Sequence, residues 1–239
     1  MRYARGMCGR FTLTSLPKVV AQLFDLPAVP ELDPRYNIAP TQGVAVVRAG
    51  SDGRRLDLLR WGLIPSWVKD VKQAPTLVNA RVDTLQEKPS FRGAFRSRRC
   101  LIPADGFYEW KTIGGKKQPM YFTMNDGAPF ALAGLWERWE GPDGTVIESC
   151  TTLTTEPNAV VSPIHDRMPV ILPPEAYALW LDPRMTDTQR LIPLLGSFPA
   201  EAMRVHAVSP QVNSAKAEGP ACIEPAAELA PPPEELRLF

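Results

Sequence analysis

The residue with the most distinctive reactivity is Cys8, in the motif Met7-Cys8-Gly9-Arg10-Phe11. If translation begins at Met7 and that methionine is trimmed, Cys8 becomes the amino-terminal residue. Its α-amine and thiol, with ordinary pKa values of about 8 and about 8.5, are then both nucleophiles on adjacent carbons. The amine would attack an aldehyde to give an imine, and the thiol would close a five-membered thiazolidine. The alternative is that Cys8 is a small apolar residue entering a first strand.

Few other side chains are suited to exchange protons with such a nucleophile. His165 lies in a loop bounded by prolines, whereas His206 alternates with apolar residues as in an ordinary strand and is interpreted as structural. Glu109 interrupts an apolar run between two aromatic residues, so on a strand it faces either solvent or a cavity. Only a cavity would suit it to general acid–base work. Asn79 follows two apolar residues and either turns the chain or holds a reactive group.

A basic run stands out in an otherwise balanced chain. Residues 91–100 contain four arginines and two phenylalanines but no acid. Such a run is either a solvated face or a surface that follows a phosphate backbone with aromatic stacking. The net charge of +1 combines a body of 26 basic and 21 acidic residues with a tail, residues 217–239, that has five Glu, five Pro and one Arg. We expect this tail to be flexible or draped over the surface.

These side chains would be positioned by short strands and a few helices. We predict strands over 9–13, 43–48, 56–61, 101–103, 106–111, 120–124, 131–139 and 145–154, with a hairpin at Gly114-Gly115. Helices are predicted over 15–25, capped by Ser15, and over 175–181 and 188–195. The absence of a βαβ rhythm indicates an α+β domain with a largely antiparallel, barrel-like β-sheet and a few peripheral helices.

Composition limits the protein class. The 239 residues include 26 prolines, which favours short elements joined by rigid loops. No apolar run approaches the ~18 to 20 residues of a membrane span, and no signal segment is apparent, so we expect a cytoplasmic protein. The four cysteines are dispersed without CxxC spacing, so we expect no metal site; Cys100 and Cys150 are predicted to be buried thiols.

Six motifs together resemble the SRAP family, the SOS-response-associated peptidases. In chain order they are MCGRF at 7–11, YNIAPT at 36–41, WGLIP at 61–65, NAR at 79–81, RCLIPADGFYEWK at 99–111 and HDRMP at 165–169. They cover nearly the whole of residues 7–216. Agreement of six motifs in the family's order is much more specific than any one of them. The resemblance implies an α+β fold with a barrel-like sheet and the sensing of abasic sites in single-stranded DNA.

The resemblance also implies roles for individual residues. Cys8 would form a stable thiazolidine with the ring-opened aldehyde of an abasic site, Asn79 would position it, and Glu109 and His165 would transfer protons. Arg81 and Arg167 would hold the phosphates that flank the lesion, and Pro40 and Trp67 would wedge or stack where the strand bends. The complete set of expected DNA-contacting residues is Arg10, Asn37, Pro40, Trp67, Arg81, Trp110 and Arg167.

Two features depart from the family pattern. Residues 1–6 precede Met7, and their presence would turn the amine of Cys8 into an amide nitrogen. We therefore expect 1–6 to be absent or removed, 7–216 to form the SRAP-like domain, and 217–239 to be an acidic Pro-rich tail. The second departure is Asp83, where the family usually has glutamate.

Two other functions remain open from the sequence. One is a cysteine peptidase or amidohydrolase, in which the Cys8 thiolate attacks a carbonyl, His165 is the base and Asn79 orients it; autoproteolytic and lyase activities are also expected of the abasic-site function itself. The other is a non-catalytic module that binds single strands. We expect abasic single-stranded DNA as the partner, association with the nucleoid when bound, no cofactor, and a monomer.

Overall fold

The computed structural model describes residues 9–229, which fold into thirteen strands and three α-helices. The strands are β1 (Phe11–Leu13), β2 (Arg35–Ile38), β3 (Gly43–Gly50), β4 (Gly53–Trp61), β5 (Asn79–Arg81), β6 (Arg99–Ala104), β7 (Gly106–Ile113), β8 (Lys116–Met124), β9 (Phe130–Glu140), β10 (Val146–Thr155), β11 (Met168–Pro169), β12 (Ile171–Leu172) and β13 (Met203–Ala207). The helices are α1 (Pro17–Leu23), α2 (Pro89–Ser97) and α3 (Tyr177–Leu181). Short 3-10 turns lie at Val71–Gln73, Val82–Thr84, Pro174–Ala176, Thr188–Arg190, Ile192–Leu195, Ala200–Ala202, Pro210–Asn213 and Pro220–Cys222.

Five strands close into a barrel. β10 pairs with β4, β4 with β3, β3 with β6, β6 with β9, and β9 returns to β10. All of these contacts are antiparallel except the short parallel one between β4 and β10. Closure removes the exposed sheet edges within the ring. The prediction of a largely antiparallel, barrel-like α+β fold is confirmed.

The barrel interior is closely packed around a glycine. A Cβ at Gly134 would lie 2.9 Å from the Cys100 Sγ and 3.0 Å from the Ile102 side chain, so no larger residue fits without movement of its neighbours. Cys100 and Cys150 are fully buried, as predicted. Burial raises the pKa of both thiols, which makes them structural rather than reactive groups.

A second, antiparallel sheet runs in the order β13, β8, β7, β1, β2. β7 and β8 form the predicted hairpin, whose two turn residues, Gly114 and Gly115, both have positive φ, as a two-residue turn between twisted strands requires. Asp105 fixes the corner between β6 and β7. Its carboxylate accepts hydrogen bonds from the backbone and hydroxyl groups of Thr14 and Ser15, which anchors the end of β1.

The helices differ from their predicted bounds. α1 starts at Pro17 rather than at Ser15, because the Ser15 hydroxyl donates to Asp105 and leaves no side-chain cap on the helix. The predicted helix over 188–195 is only 3-10 turns. α2 was not predicted, because the four arginines of this segment were interpreted as a charged surface. The helical spacing of its buried residues, Phe91, Ala94 and Phe95, was overlooked.

Residues 217–229 are packed against the second sheet. Cys222 is fully buried, and His206 is structural as predicted, with its Nε2 2.9 Å from the Ile223 carbonyl oxygen. The Ala226 amide also donates to the Ala207 carbonyl. The described part of the tail is therefore draped over the surface. Within residues 9–229, no helix is long and apolar enough to cross a membrane.

Candidate functional site

Strand β7 places Glu109 inside the protein. The strand alternates, so Glu109 points away from the face that carries Tyr108 and Trp110. Its side chain is only 4% exposed, which rules out the solvent-facing alternative. A buried carboxylate needs partners that hydrogen-bond it or share its charge.

His165 provides such a partner for Glu109. The two side chains approach to 3.8 Å between Nε2 and Oε2, and the imidazole is 13% exposed. This distance exceeds a hydrogen bond but lies within ion-pair range. Because catalytic contacts in ligand-free proteins are often longer than in the reacting complex, the geometry suits a pair that exchanges a proton after a small movement.

The loop that carries His165 is held at both ends. Asn158 accepts hydrogen bonds from the amides of Val160 and Val161 at 3.1 Å, and the His165 amide donates to the Val161 carbonyl at 3.0 Å. On the far side of the imidazole, Nδ1 lies 3.1 Å from both the amide nitrogen and the carbonyl oxygen of Arg167. The ring orientation is therefore set by backbone, with Nε2 directed at Glu109.

Asn79 is positioned by barrel strand β10. β5 pairs with β10 in parallel, with Asn79 opposite Thr152, and the Thr152 hydroxyl donates to Asn79 Oδ1 at 2.5 Å. Asn79 is 8% exposed. The Thr152 contact identifies the oxygen end of the amide and fixes the orientation of the side chain.

Two arginines and two carboxylates lie at the ends of β5 and β10. Asp83 accepts from Arg81 through Nε at 3.1 Å and Nη2 at 2.5 Å, and its Oδ2 is also 3.5 Å from Arg167 Nη2. Arg167 Nη1 is 2.7 Å from Glu156 Oε1. Since the Arg167 backbone contacts His165, an unbroken series of contacts joins Glu109 to Arg81.

The amino-terminal segment runs toward Glu109. Phe11 lies opposite Phe107, and the Tyr108 amide donates to the Arg10 carbonyl at 3.0 Å. If the same antiparallel register continued by one residue, Gly9 would lie beside Glu109. Cys8 lies outside the described residues.

A small cavity of about 10 Å³ lies beside this segment. It is lined by Arg10, Phe11, Trp61, Phe107, Leu132, Thr152 and Pro169. Thr152 is the partner of Asn79, and Pro169 follows the loop that carries His165 and Arg167. Chemistry-bearing residues from four distant parts of the sequence therefore converge on one region.

Three of the expected DNA-contacting residues hold the segment that follows β13. The Arg10 Nη1 group donates to Asn37 Oδ1 and to the Val212 carbonyl, both at 2.7 Å. Asn37 is fully buried, and its Nδ2 donates to the carbonyls of residues 214 and 217 at 2.9 Å. Trp110 donates from Nε1 to Asn213 Oδ1 at 2.6 Å. In this structure Asn37 is not presented to a ligand, and its contacts organise the protein itself.

The two expected stacking residues lie on separate turns. Pro40 is half-buried and precedes Thr41, which has φ of 74°, a strained conformation for a β-branched residue. The Thr41 amide donates to the carbonyl of Trp61, a residue that lines the cavity, so the Pro40 turn borders the site. Trp67 is 61% exposed on a loop that Trp139 anchors through the Val68 carbonyl.

The basic run of residues 91–100 contributes less exposed charge than its sequence suggests. Arg99 is buried and donates to the carbonyls of residues 95, 96, 180 and 182, and burial lowers its pKa to about 10. Arg98 pairs with Glu137 at 2.7 Å. Arg92 and Arg96 are exposed on α2. Of the four arginines in the run, Arg99 is therefore internal structure, and Arg98 is half-buried in an ion pair.

Sequence reasoning missed several residues that shape the site. Thr152 and Glu156 carried no recognisable signal, because the sequence of β10 and the residue after it has the threonine-rich pattern of an ordinary strand. Asp83 was noted only as a departure from the family pattern, although it contacts both arginines. Among residues 9–229, no three His, Cys, Asp or Glu side chains are grouped to hold a metal ion.

Comparison with known proteins gives consistent matches. The model of the family described as SOS response associated peptidase (SRAP) matches residues 7–215. The chain is 46% identical over 222 residues to the abasic site processing protein YoqW of Bacillus subtilis, covering 91% of this chain and 99% of YoqW. It is 32% identical to the abasic site processing protein YedK of Escherichia coli, covering 92% and 100%. It is 36% identical to HMCES of Gallus gallus, covering 84% of this chain and 68% of HMCES.

Solved structures agree with these sequence matches. A protein from Bacteroides thetaiotaomicron superposes with a TM-score of 0.81 at 28% identity, covering 92% of this chain and all of the other. A protein from Bordetella bronchiseptica gives 0.73 at 32% identity, covering 84% and 100%. Both comparisons extend over most of the fold described above.

Proposed function

The chain belongs to the SOS response associated peptidase family, and on that basis we propose that it processes abasic sites in single-stranded DNA by forming a covalent link through Cys8. The observation that carries the proposal is the buried Glu109–His165 pair. It lies beside the chain that leads back to Cys8 and next to the arginines 81 and 167. The names of the relatives support the same substrate.

The proposed reaction has two bond-forming steps. The neutral amine of Cys8 attacks the aldehyde carbon of the ring-opened abasic sugar, and loss of one water gives an imine. The thiol then adds to the imine carbon, its proton passes to the nitrogen, and a thiazolidine results. No oxidant or reductant is required. Glu109 and His165 accept and return the protons of ring opening, addition and dehydration, while Asn79 orients the nucleophile.

Recognition of the strand is assigned to side chains around the reacting groups. Arg81 and Arg167 both contact Asp83, so the two guanidinium groups are close enough to bind one phosphate together or two adjacent phosphates. Pro40 and Trp67 supply apolar surfaces that replace the stacking of the missing base. We propose that the protein prefers single strands, because stacking surfaces of this kind act on bases that are not already stacked in a duplex.

The peptidase alternative is less well supported by the geometry. A thiol–imidazole–amide arrangement requires the amide to orient the imidazole. Among the described residues, His165 faces Glu109 and is oriented by the Arg167 backbone, whereas Asn79 is oriented by Thr152. Autoproteolytic removal of residues 1–7 remains compatible with the abasic-site function, because it would expose the amine of Cys8.

The proposal is tested by incubating the protein with a single strand that contains one abasic site and separating the products on a denaturing gel. The parent protein should retain the strand after heating. Cys8→Ser keeps the amine, so its imine should be trapped by borohydride but should not survive heating without it. Cys222→Ser is the matched control, and the adduct should persist. A heat-stable adduct of Cys8→Ser would refute the thiazolidine.

A further inference from the structure

The two arginines assigned to phosphate binding are already engaged by carboxylates. Arg81 donates from Nε to Asp83 Oδ1 and from Nη2 to Asp83 Oδ2. Asp83 Oδ2 is also 3.5 Å from Arg167 Nη2. The other nitrogen of that guanidinium, Nη1, contacts Glu156 at 2.7 Å. Two positive and two negative side chains therefore form a cluster of zero net charge at the place where a DNA backbone would bind.

The Asp83 carboxylate lies where a phosphate group could contact the same two arginines. Its two oxygens meet the Arg81 fork side by side, and one of them is shared with Arg167, as the non-bridging oxygens of a phosphate can be. The 3-10 turn of residues 82–84 holds it there, with the Thr84 hydroxyl on the Arg81 carbonyl and the fully buried Leu85 as anchor. The hydrogen bond with Arg81 lowers the pKa of Asp83, so the carboxylate is charged at neutral pH.

We propose, building on the function above, that Asp83 is a specificity-determining residue that occupies the phosphate position between Arg81 and Arg167 when DNA is absent. A strand must displace the carboxylate from one or both arginines before its own phosphates bind them. Glutamate, the residue that the family usually has at this position, would keep the negative charge. Glu156, which is 72% exposed at the edge of the cluster, adds to the same competition.

The advantage of such competition follows from the covalent step. An undamaged strand is held only by non-covalent contacts, so the cost of displacing Asp83 shortens its residence on the protein. An abasic strand is retained by a covalent bond once it has reacted, so the same cost is less important for it. Specificity is a difference between two affinities, and weakening the unwanted complex increases it.

The test compares Asp83→Asn, Asp83→Glu and the parent protein. Asp182→Asn is the matched control, because Asp182 forms a similar exposed pair with Arg184, two residues away, at 3.1 Å. Circular dichroism first establishes that each variant is folded. Binding of a labelled undamaged single strand is then titrated at low and moderate salt, and the rate of adduct formation on an abasic strand is measured at saturating protein.

Asp83→Asn should bind the undamaged strand about threefold to tenfold more tightly at low salt, since two ion pairs no longer compete. The slope of log affinity against log salt should steepen by up to about 0.7, the contribution of one more phosphate contact to a single strand. Asp83→Glu and Asp182→Asn should stay within about twofold of the parent, far below that range. The saturated rate of adduct formation should change less than the affinity does, because Asp83 acts through the two arginines that hold the strand.

Unchanged or weaker binding by Asp83→Asn would overturn the inference, and weaker binding would identify Asp83 as a residue that positions the arginines. A saturated rate lowered by more than the affinity is raised would also contradict it. Failure of the parent protein to form any adduct would instead refute the proposed function. The two outcomes are separate, because the affinity comparison uses a strand that contains no abasic site.

Discussion

Glu109 and His165 should behave as a single proton-transferring unit rather than as two independent residues. Their side chains are 4% and 13% exposed and 3.8 Å apart. A charged pair at this distance interacts by about 4 kcal/mol at an effective dielectric constant of about 20. General acid–base help is typically worth about 10² to 10⁴ in rate, or roughly 3 to 5 kcal/mol. We therefore expect Glu109→Gln and His165→Gln each to slow adduct formation by a factor in that range.

The double variant distinguishes a shared role from two separate ones. If the two residues act together, the double variant should be about as slow as the slower single variant, with a coupling energy equal to the smaller single effect, roughly 3 to 5 kcal/mol. The assay is single-turnover adduct formation on a preformed abasic strand, at protein concentrations that saturate the rate. Glu137→Gln, at another buried strand glutamate, and His206→Gln are the matched controls and should react at the parental rate. Multiplication of the two effects, or single effects below about twofold, would refute the paired mechanism.

Three further changes test the fold and the interface. Arg48→Met removes a buried guanidinium from Glu148 and Asp57 and should lower the free energy of unfolding by about 3 kcal/mol, measured by urea titration. The side-chain hydrogen bond from Arg48 lowers the pKa of Glu148. The stability advantage of the parent protein over Arg48→Met should therefore be complete above a pH of about 4.5, the ordinary pKa of glutamate, and should be lost as the pH falls through the lowered pKa of Glu148. Arg99→Gln should be destabilised by about 3 to 5 kcal/mol and Arg92→Gln by less than about 0.5 kcal/mol; equal effects would contradict the burial of Arg99. Trp67→Ala should weaken single-strand binding by about 1 to 3 kcal/mol in a fluorescence titration without changing stability, and unchanged affinity would remove Trp67 from the interface.

The strands were predictable because their patterns are local. Alternation and apolar runs locate β3, β4, β7 and β10, and the glycine pair at 114–115 specifies a tight hairpin. The closure of the barrel was not encoded in any one segment. It depends on contacts such as β4 with β10, which join residues about ninety positions apart in the chain.

The candidate site was only partly predictable for a similar reason. The resemblance identified Asn79, Glu109 and His165, but their side-chain partners come from β10 and from the loop before β11. The basic run shows the opposite case, since a sequence cannot reveal that Arg99 turns inward to four carbonyl groups. Hydrogen-bonding partners that are distant in sequence decide whether an arginine binds a ligand or supports the fold.

The covalent bond to the amine and thiol of Cys8 is tested most directly by intact-mass spectrometry of the reacted protein. The reactive species should begin at Cys8, and its mass after reaction should equal protein plus abasic strand minus one water. Digestion should then place the adduct on the peptide that begins with Cys8. An adduct formed by protein that still carries residues 1–6, or one attached to a lysine, would contradict a thiazolidine at Cys8.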